Sequence, residues 1–137
     1  MGVIAVSSYP LAVSRYWDRR EHEDFRELQV WQKAHRFVLE VYKHTRSFPA
    51  EERFGLTSQL RRSAASCPSN IAEGCGHEGE RELARYLGIA AGSASEAEYQ
   101  LLLARDLTYL PDETHRELDA QVNEVKKRLN SFIQKLG

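Results

Sequence analysis

The chain has 137 residues, 42% hydrophobic and 28% charged, with 19 basic and 20 acidic side chains and a net charge of −1. That is one domain's worth of chain, long enough to bury a core without metal or disulfide support, and its balanced charge argues against a generic basic nucleic-acid binder. Two cysteines, Cys67 and Cys75, are too few for a disulfide framework, and without an export signal they read as free thiols of a cytoplasmic protein.

Residues 1–24 read as a flexible N-terminal tail, in which a short apolar run interrupted by Pro10 precedes a charged stretch from Asp18 to Asp24. No Lys or Arg precedes the apolar run, as a signal peptide would require. No stretch of the chain approaches the roughly 20 apolar residues of a membrane span. Residues 25–137 read as a single helical domain.

The first helix is expected from about Leu28 to Arg46. Leu28, Trp31, His35, Val38, Tyr42 and Thr45 alternate spacings of three and four, which makes a heptad seam. Val30, Ala34, Phe37 and Val41 form a second stripe beside it. A helix with one neighbour needs one stripe, so two suggest contact with a bundle core and with something else. The second helix is expected from Ala50 to Glu73. Pro49 suits a first turn, and Leu56, Leu60, Ala64, Cys67 and Ile71 line one face. Pro68 lies inside it and predicts a kink.

Three glycines between Gly74 and Gly79 predict the next break. The third helix, Glu80 to Thr108, keeps a seam of Leu83, Leu87, Ala90, Ala94, Ala97, Leu101, Ala104 and Thr108. Its alanine centre lets a partner helix come close, and Gly88, Gly92 and Ser95 mark a second smooth strip expected to serve close packing. After Tyr109-Leu110-Pro111, either Asp112 or Thr114 can cap the fourth helix, Thr114 with Glu117 as a capping box. Leu118, Val122, Val125, Leu129, Phe132 and Leu136 supply its seam. Four such helices on short loops predict an all-α, antiparallel up-down-up-down four-helix bundle.

Charge is uneven along these helices. Residues 25–48 carry five basic and two acidic side chains, and residues 74–108 carry three basic and six acidic. Such helices can attract each other within a bundle or between subunits, or the basic one can face a polyanion.

For chemistry the sequence offers little. The paired Glu-x-x-His motifs of a di-metal bundle are missing. Cys67, Cys75 and His77 lack the second ligand pair of a zinc site. There is no nucleophile elbow or phosphate loop. No catalytic, cofactor or metal residues are therefore assigned. On the second helix Gln59, Arg62, Ser66, Asn70 and Glu73 form a polar stripe, and Ser93 and Glu96 lie near the small-residue strip of the third. If these faces meet, Arg62, Asn70, Glu73, Ser93 and Glu96 make a polar cluster. A solvated face or a network fixing helix register explains the same pattern. Lys33, Arg36, Lys43, Arg61 and Arg62 are the candidate nucleic-acid contacts, provided they share one exposed face. Trp31, on the seam, reads as core rather than as a base-stacking platform.

Five motifs in order, Leu28-Gln-Val-Trp-Gln-Lys-Ala34, Phe48-Pro-Ala-Glu-Glu-Arg-Phe-Gly-Leu56, Gln59-Leu-Arg-Arg62, Pro68-Ser-Asn-Ile-Ala-Glu-Gly74 and Ile89-Ala-Ala-Gly-Ser-Ala-Ser-Glu96, resemble the bacterial four-helix bundle proteins first noticed in intervening sequences of 23S ribosomal RNA genes. The resemblance covers residues 25–136. It implies a four-helix bundle that assembles as a ring-shaped homopentamer, which would account for the two-striped first helix. The family is in turn similar to accessory proteins of diversity-generating retroelements, which carry a basic surface and bind nucleic acid while assisting a reverse transcriptase. It brings no catalytic residues. Two functions follow as alternatives, a non-enzymatic oligomeric scaffold or adaptor and a nucleic-acid-binding accessory protein. An enzyme working through Arg62 and Glu96 is the third.

Overall fold

A computed structural model describes residues 24–136; the expected N-terminal tail lies outside this range except for Asp24. Among the described residues there are four α-helices, α1 (Gln29–Thr45), α2 (Leu56–Gly76), α3 (Glu80–Asp106) and α4 (Asp112–Leu136), with 3-10 turns at Phe25–Glu27 and Ala50–Glu52. Each helix packs on the next, and α4 returns to α1. Cross-helix contacts give the directions. Ser63 and Ser66 of α2 meet Gln100 and Ser93 of α3, Glu98 of α3 meets Lys126 of α4, and Gln29 of α1 meets Arg128 of α4. Between α2 and α3 the residue numbers rise on one helix as they fall on the other, so this pair is antiparallel, and the short connections between the other sequential helices fit the expected up-down-up-down order.

The seams of α2, α3 and α4 lie largely where the periodicity places them, but Thr108, expected to end the third, is exposed beyond α3, and Phe132 of the fourth is half-buried. Leu60, Ala64, Cys67, Ile71, Leu83, Leu87, Ala90, Ala94, Ala97, Leu101, Ala104, Leu118, Val122, Val125 and Leu129 are all buried. On α1 the two stripes exchange roles. Val30, Ala34, Phe37 and Val41 fill the core. In the expected heptad seam Leu28, Val38 and Thr45 are buried, Trp31 is half-buried and His35 and Tyr42 are exposed. Trp31 stacks on His35 with ring centres 4.8 Å apart and meets Phe25 edge-on at 5.0 Å. It lies at the edge of the core, covered by neighbours on its own stretch of chain.

Several local expectations are corrected. Residues 50–52 make a 3-10 turn, and α2 proper begins at Leu56. Glu52 reaches back to accept the Leu56 N–H at 2.9 Å, supplying the cap that Gly55 lacks. The same carboxylate accepts the Tyr109 hydroxyl at 2.9 Å, and Tyr109 packs on Phe48, which ties the start of α2 to the end of α3. The Leu56 N–H, and after it the Tyr109 hydroxyl, holds the Glu52 carboxyl below its ordinary value. At the other end α2 runs through Pro68 without interruption and absorbs Gly74 and Gly76. A Cβ at Gly74 would sit 2.9 Å from Tyr86 Cβ, so this glycine permits the close approach of α3. Gly88 and Gly92, expected to serve close packing, are exposed and have nothing within 4 Å of a built Cβ. Finally, α4 starts at Asp112, so Thr114 lies inside the first turn and its capping box with Glu117 is not the start signal.

The turn after α3 closes through a Schellman arrangement, with the Tyr109 N–H donating to Ala104 O at 2.8 Å and the Thr108 N–H to Arg105 O at 2.9 Å. Thr108 takes the left-handed position, φ 66°, where a β-branched residue is strained and glycine is at ease. Thr108→Gly is expected to raise stability by about 0.5–1 kcal/mol, read as a higher denaturant midpoint at constant slope. A fall would show that this turn is not strained.

Candidate functional site

The polar stripe of α2 divides. Its inner edge faces α3 and is used there. Ser63, buried, donates to Gln100 Oε1 at 2.6 Å, and Gln100 donates to Glu96 Oε2 at 3.3 Å. Ser66 and Ser93 share a hydrogen bond of 2.8 Å. Asn70 turns back to Ser66, donating to its carbonyl at 2.8 Å and its hydroxyl at 3.0 Å. Asn70 and Ser93 of the expected cluster therefore do meet, through Ser66. Glu96 joins from the rim, while Arg62 and Glu73 stay on the exposed face. The side chains of Arg62 and Glu73 make no hydrogen bond or ion pair with another described residue. The expected five-residue cluster is thus not formed, and what forms is a ladder between α2 and α3. Such a ladder fixes the register of two helices whose small side chains would otherwise slide.

The cationic candidates divide as well. Lys33 and Arg36 line a groove between α1 and α4 together with Ala120, Gln121 and Glu124. Glu124 is held below the ordinary carboxylate range by Arg128, with a smaller contribution from Lys33. Lys43 is exposed and lines neither groove. Arg61 and Arg62 lie on a different side, in a groove of about 670 Å³ over α1 and α2. The five candidates do not share one face.

This second groove is the most distinctive surface of the described residues. It is lined by Tyr42, Arg53, Phe54, Thr57, Ser58, Arg61, Arg62, Ala65, Ser66 and Ser69, so it holds three arginines and no carboxylate. Its floor on α2 is smooth because the residues there are serine and alanine. Arg61 is anchored, donating from Nε to Thr45 Oγ1 at 2.8 Å and lying 4.6 Å above the Tyr42 ring. Arg53 lies 5.3 Å over the Phe54 ring. Phe54, in the turn before α2, is 87% exposed. Sequence reasoning did not single out Phe54 or Arg53 as site residues. The available signal was an aromatic residue between Arg53 and Gly55 in a turn, outside any periodic stripe.

Cys67 and Cys75 are both buried, and burial pushes the Cys67 thiol up to about 12, which keeps it unreactive. His77 is exposed and stacks on Tyr86, ring centres 4.9 Å apart. No helix among the described residues is long and apolar enough to cross a membrane.

Comparison with known proteins fits this architecture. A solved structure of a protein of unknown function from the S23 ribosomal protein family of Bacteroides thetaiotaomicron superposes with a TM-score of 0.70 at 27% sequence identity, covering 77% of this chain and 98% of the other. No curated protein matches. The family model for the 23S rRNA-intervening sequence protein matches residues 26–131, which is nearly the whole of the described bundle, and the chain belongs to that family.

Proposed function

We propose that this chain is a non-enzymatic, homo-oligomeric helical bundle of the cytoplasm that works as a scaffold or adaptor, with five copies in a ring as the family resemblance implies. The observation that carries the reading is a pair of separate apolar surfaces left open on one small bundle. One comprises Tyr42 and Phe54, which line the α1/α2 groove, with Leu39 one helical turn from Tyr42, and the other comprises Ile89 and Tyr99 on α3. Isolated exposed apolar residues are ordinary, whereas grouped ones mark interaction sites. Two different patches suit a head-to-tail contact, which closes into a ring when the rotation allows. The polar groups between α2 and α3 fit the same reading, since they bond to one another across the helix pair.

A second reading, a nucleic-acid-binding accessory protein, is favoured by one observation, the arginine groove free of carboxylates. Light scattering on purified protein, with RNA and DNA binding titrated against salt in the same buffer, decides between them. A multiple of the single-chain mass with no polyanion affinity supports the scaffold. Binding that weakens steeply with salt supports the accessory role. A monomer at micromolar concentration rules out the assembly.

A further inference from the structure

We infer that the arginine groove over α1 and α2 is the socket for the outward face of α3 of a second copy, with Glu96 of that copy meeting the unpartnered Arg62. The inference rests on the assembly proposed above and names the surfaces that make it.

The outward face of α3 is itself patterned. Ile89, Gly92, Glu96, Tyr99 and Leu103 follow one another at spacings of three, four, three and four, a second heptad seam beside the buried one. Within its own chain this seam is largely uncovered. Tyr99 is 60% and Ile89 41% exposed, Glu96 is exposed and Leu103 half-buried, and nothing comes within 4 Å of a built Cβ at Gly92. α3 already meets both α2 and α4 within its own chain, so an apolar seam on its outer side has no use there. At Gly92 the surface is low enough to admit a protruding side chain from another molecule.

The groove supplies the complement. Phe54 projects from its rim and Tyr42 lies in its wall, while serines and alanine leave its floor smooth. Its three arginines face no acid among its lining residues, and the central polar residue of the α3 seam is an acid. Opposite charge across two apolar surfaces fixes partner and register.

A carboxylate fits this groove better than a chain of phosphates. A polyanion site needs several cations free to neutralise successive phosphates. Here Arg61 is bound to Thr45 and stacked on Tyr42, and Arg53 is laid over Phe54. Arg62 is the guanidinium of the groove whose side chain has no polar or aromatic partner among the described residues. One free guanidinium suits one carboxylate, which it can hold through two parallel hydrogen bonds. Socket and seam are different surfaces of the same chain, so the contact repeats head to tail.

The test is charge reversal. Arg62→Glu, Glu96→Arg and the double variant are compared with the natural chain by light scattering, with helical circular dichroism to verify folding; both positions are exposed, so the bundle should tolerate them. Each single reversal is expected to shift the mass toward that of one chain, and the double reversal to restore the natural mass. If the natural chain is oligomeric and the single variants keep its mass, or the double variant does not recover it, the socket is wrong while the assembly stands. If Arg62→Glu keeps the mass but abolishes binding of an oligouridine strand, the groove belongs to nucleic acid and the inference falls. A monomeric natural chain overturns both the assembly and its socket.

Discussion

Phe37→Ala is expected to cost about 3–5 kcal/mol, a large share of the stability of a domain this size. Phe37 is 2% exposed and among the largest fully buried side chains. Its removal leaves a cavity between helices whose neighbouring stripe positions, Ala34 and Val41, are too small to fill it. A urea titration should show a lower midpoint at an unchanged slope. Tyr42→Ala on the same helix should cost much less in an isolated protomer, because Tyr42 is 42% exposed. The comparison checks which stripe of α1 faces inward. If Tyr42→Ala were the more damaging of the two, the assignment of the core stripe would be reversed.

Ala94→Leu should be the next most damaging substitution. Ala94 is 1% exposed, in a seam where Ala90, Ala97 and Ala104 are fully buried. Three added carbons have no void to enter, so neighbouring helices must part or the side chain must leave its rotamer, at a cost of about 1–3 kcal/mol. Separation would also strain the Ser63–Gln100 and Ser66–Ser93 bonds that hold the register. Gly88→Ala gives the contrast, since nothing lies within 4 Å of the added carbon. It should stabilise the bundle by up to about 1 kcal/mol through helix propensity. Thermal unfolding of the two variants tests the point, and a tolerated leucine at position 94 would mean that the helices are not closely packed there.

The sequence was informative in proportion to how few readings each helix allowed. On α2, α3 and α4 one apolar stripe dominates, and its phase names the core. On α1 two stripes compete, and periodicity ranks them equally. The richer-looking one is divided, with Leu28, Val38 and Thr45 buried and Trp31, His35 and Tyr42 on the flank, because stripe length does not measure depth. Pro68 marks no helix boundary, since α2 continues on both sides of it. Gly88 and Gly92 were read as contact points and turned out to face outward. Small residues signal close approach without saying which neighbour approaches.

The site was less legible still. Ser66, Asn70 and Ser93 were visible as helical neighbours of polar type. Gln100, which bonds both Ser63 and Glu96, was hidden beside Leu101, one position off the seam. The cations were read as a set because they were close in sequence, whereas the helix rotates Lys33 and Arg36 toward α4 and the bundle puts Arg61 and Arg62 on another flank. Phe54 lies in a turn, where no periodicity indicates depth.

The tight α2–α3 junction also has a bearing on the order in which the chain folds. Only His77, Glu78 and Gly79 separate the two helices, so closing this hairpin restricts little chain, and its contacts are local. The α1–α4 contact instead joins residues nearly a hundred positions apart, as in the Arg128–Gln29 bond. The α2–α3 hairpin should therefore belong to the folding nucleus, with α1 and α4 closing over it afterwards. Mutations in the alanine seam should then slow folding, while mutations between α1 and α4 should mainly speed unfolding.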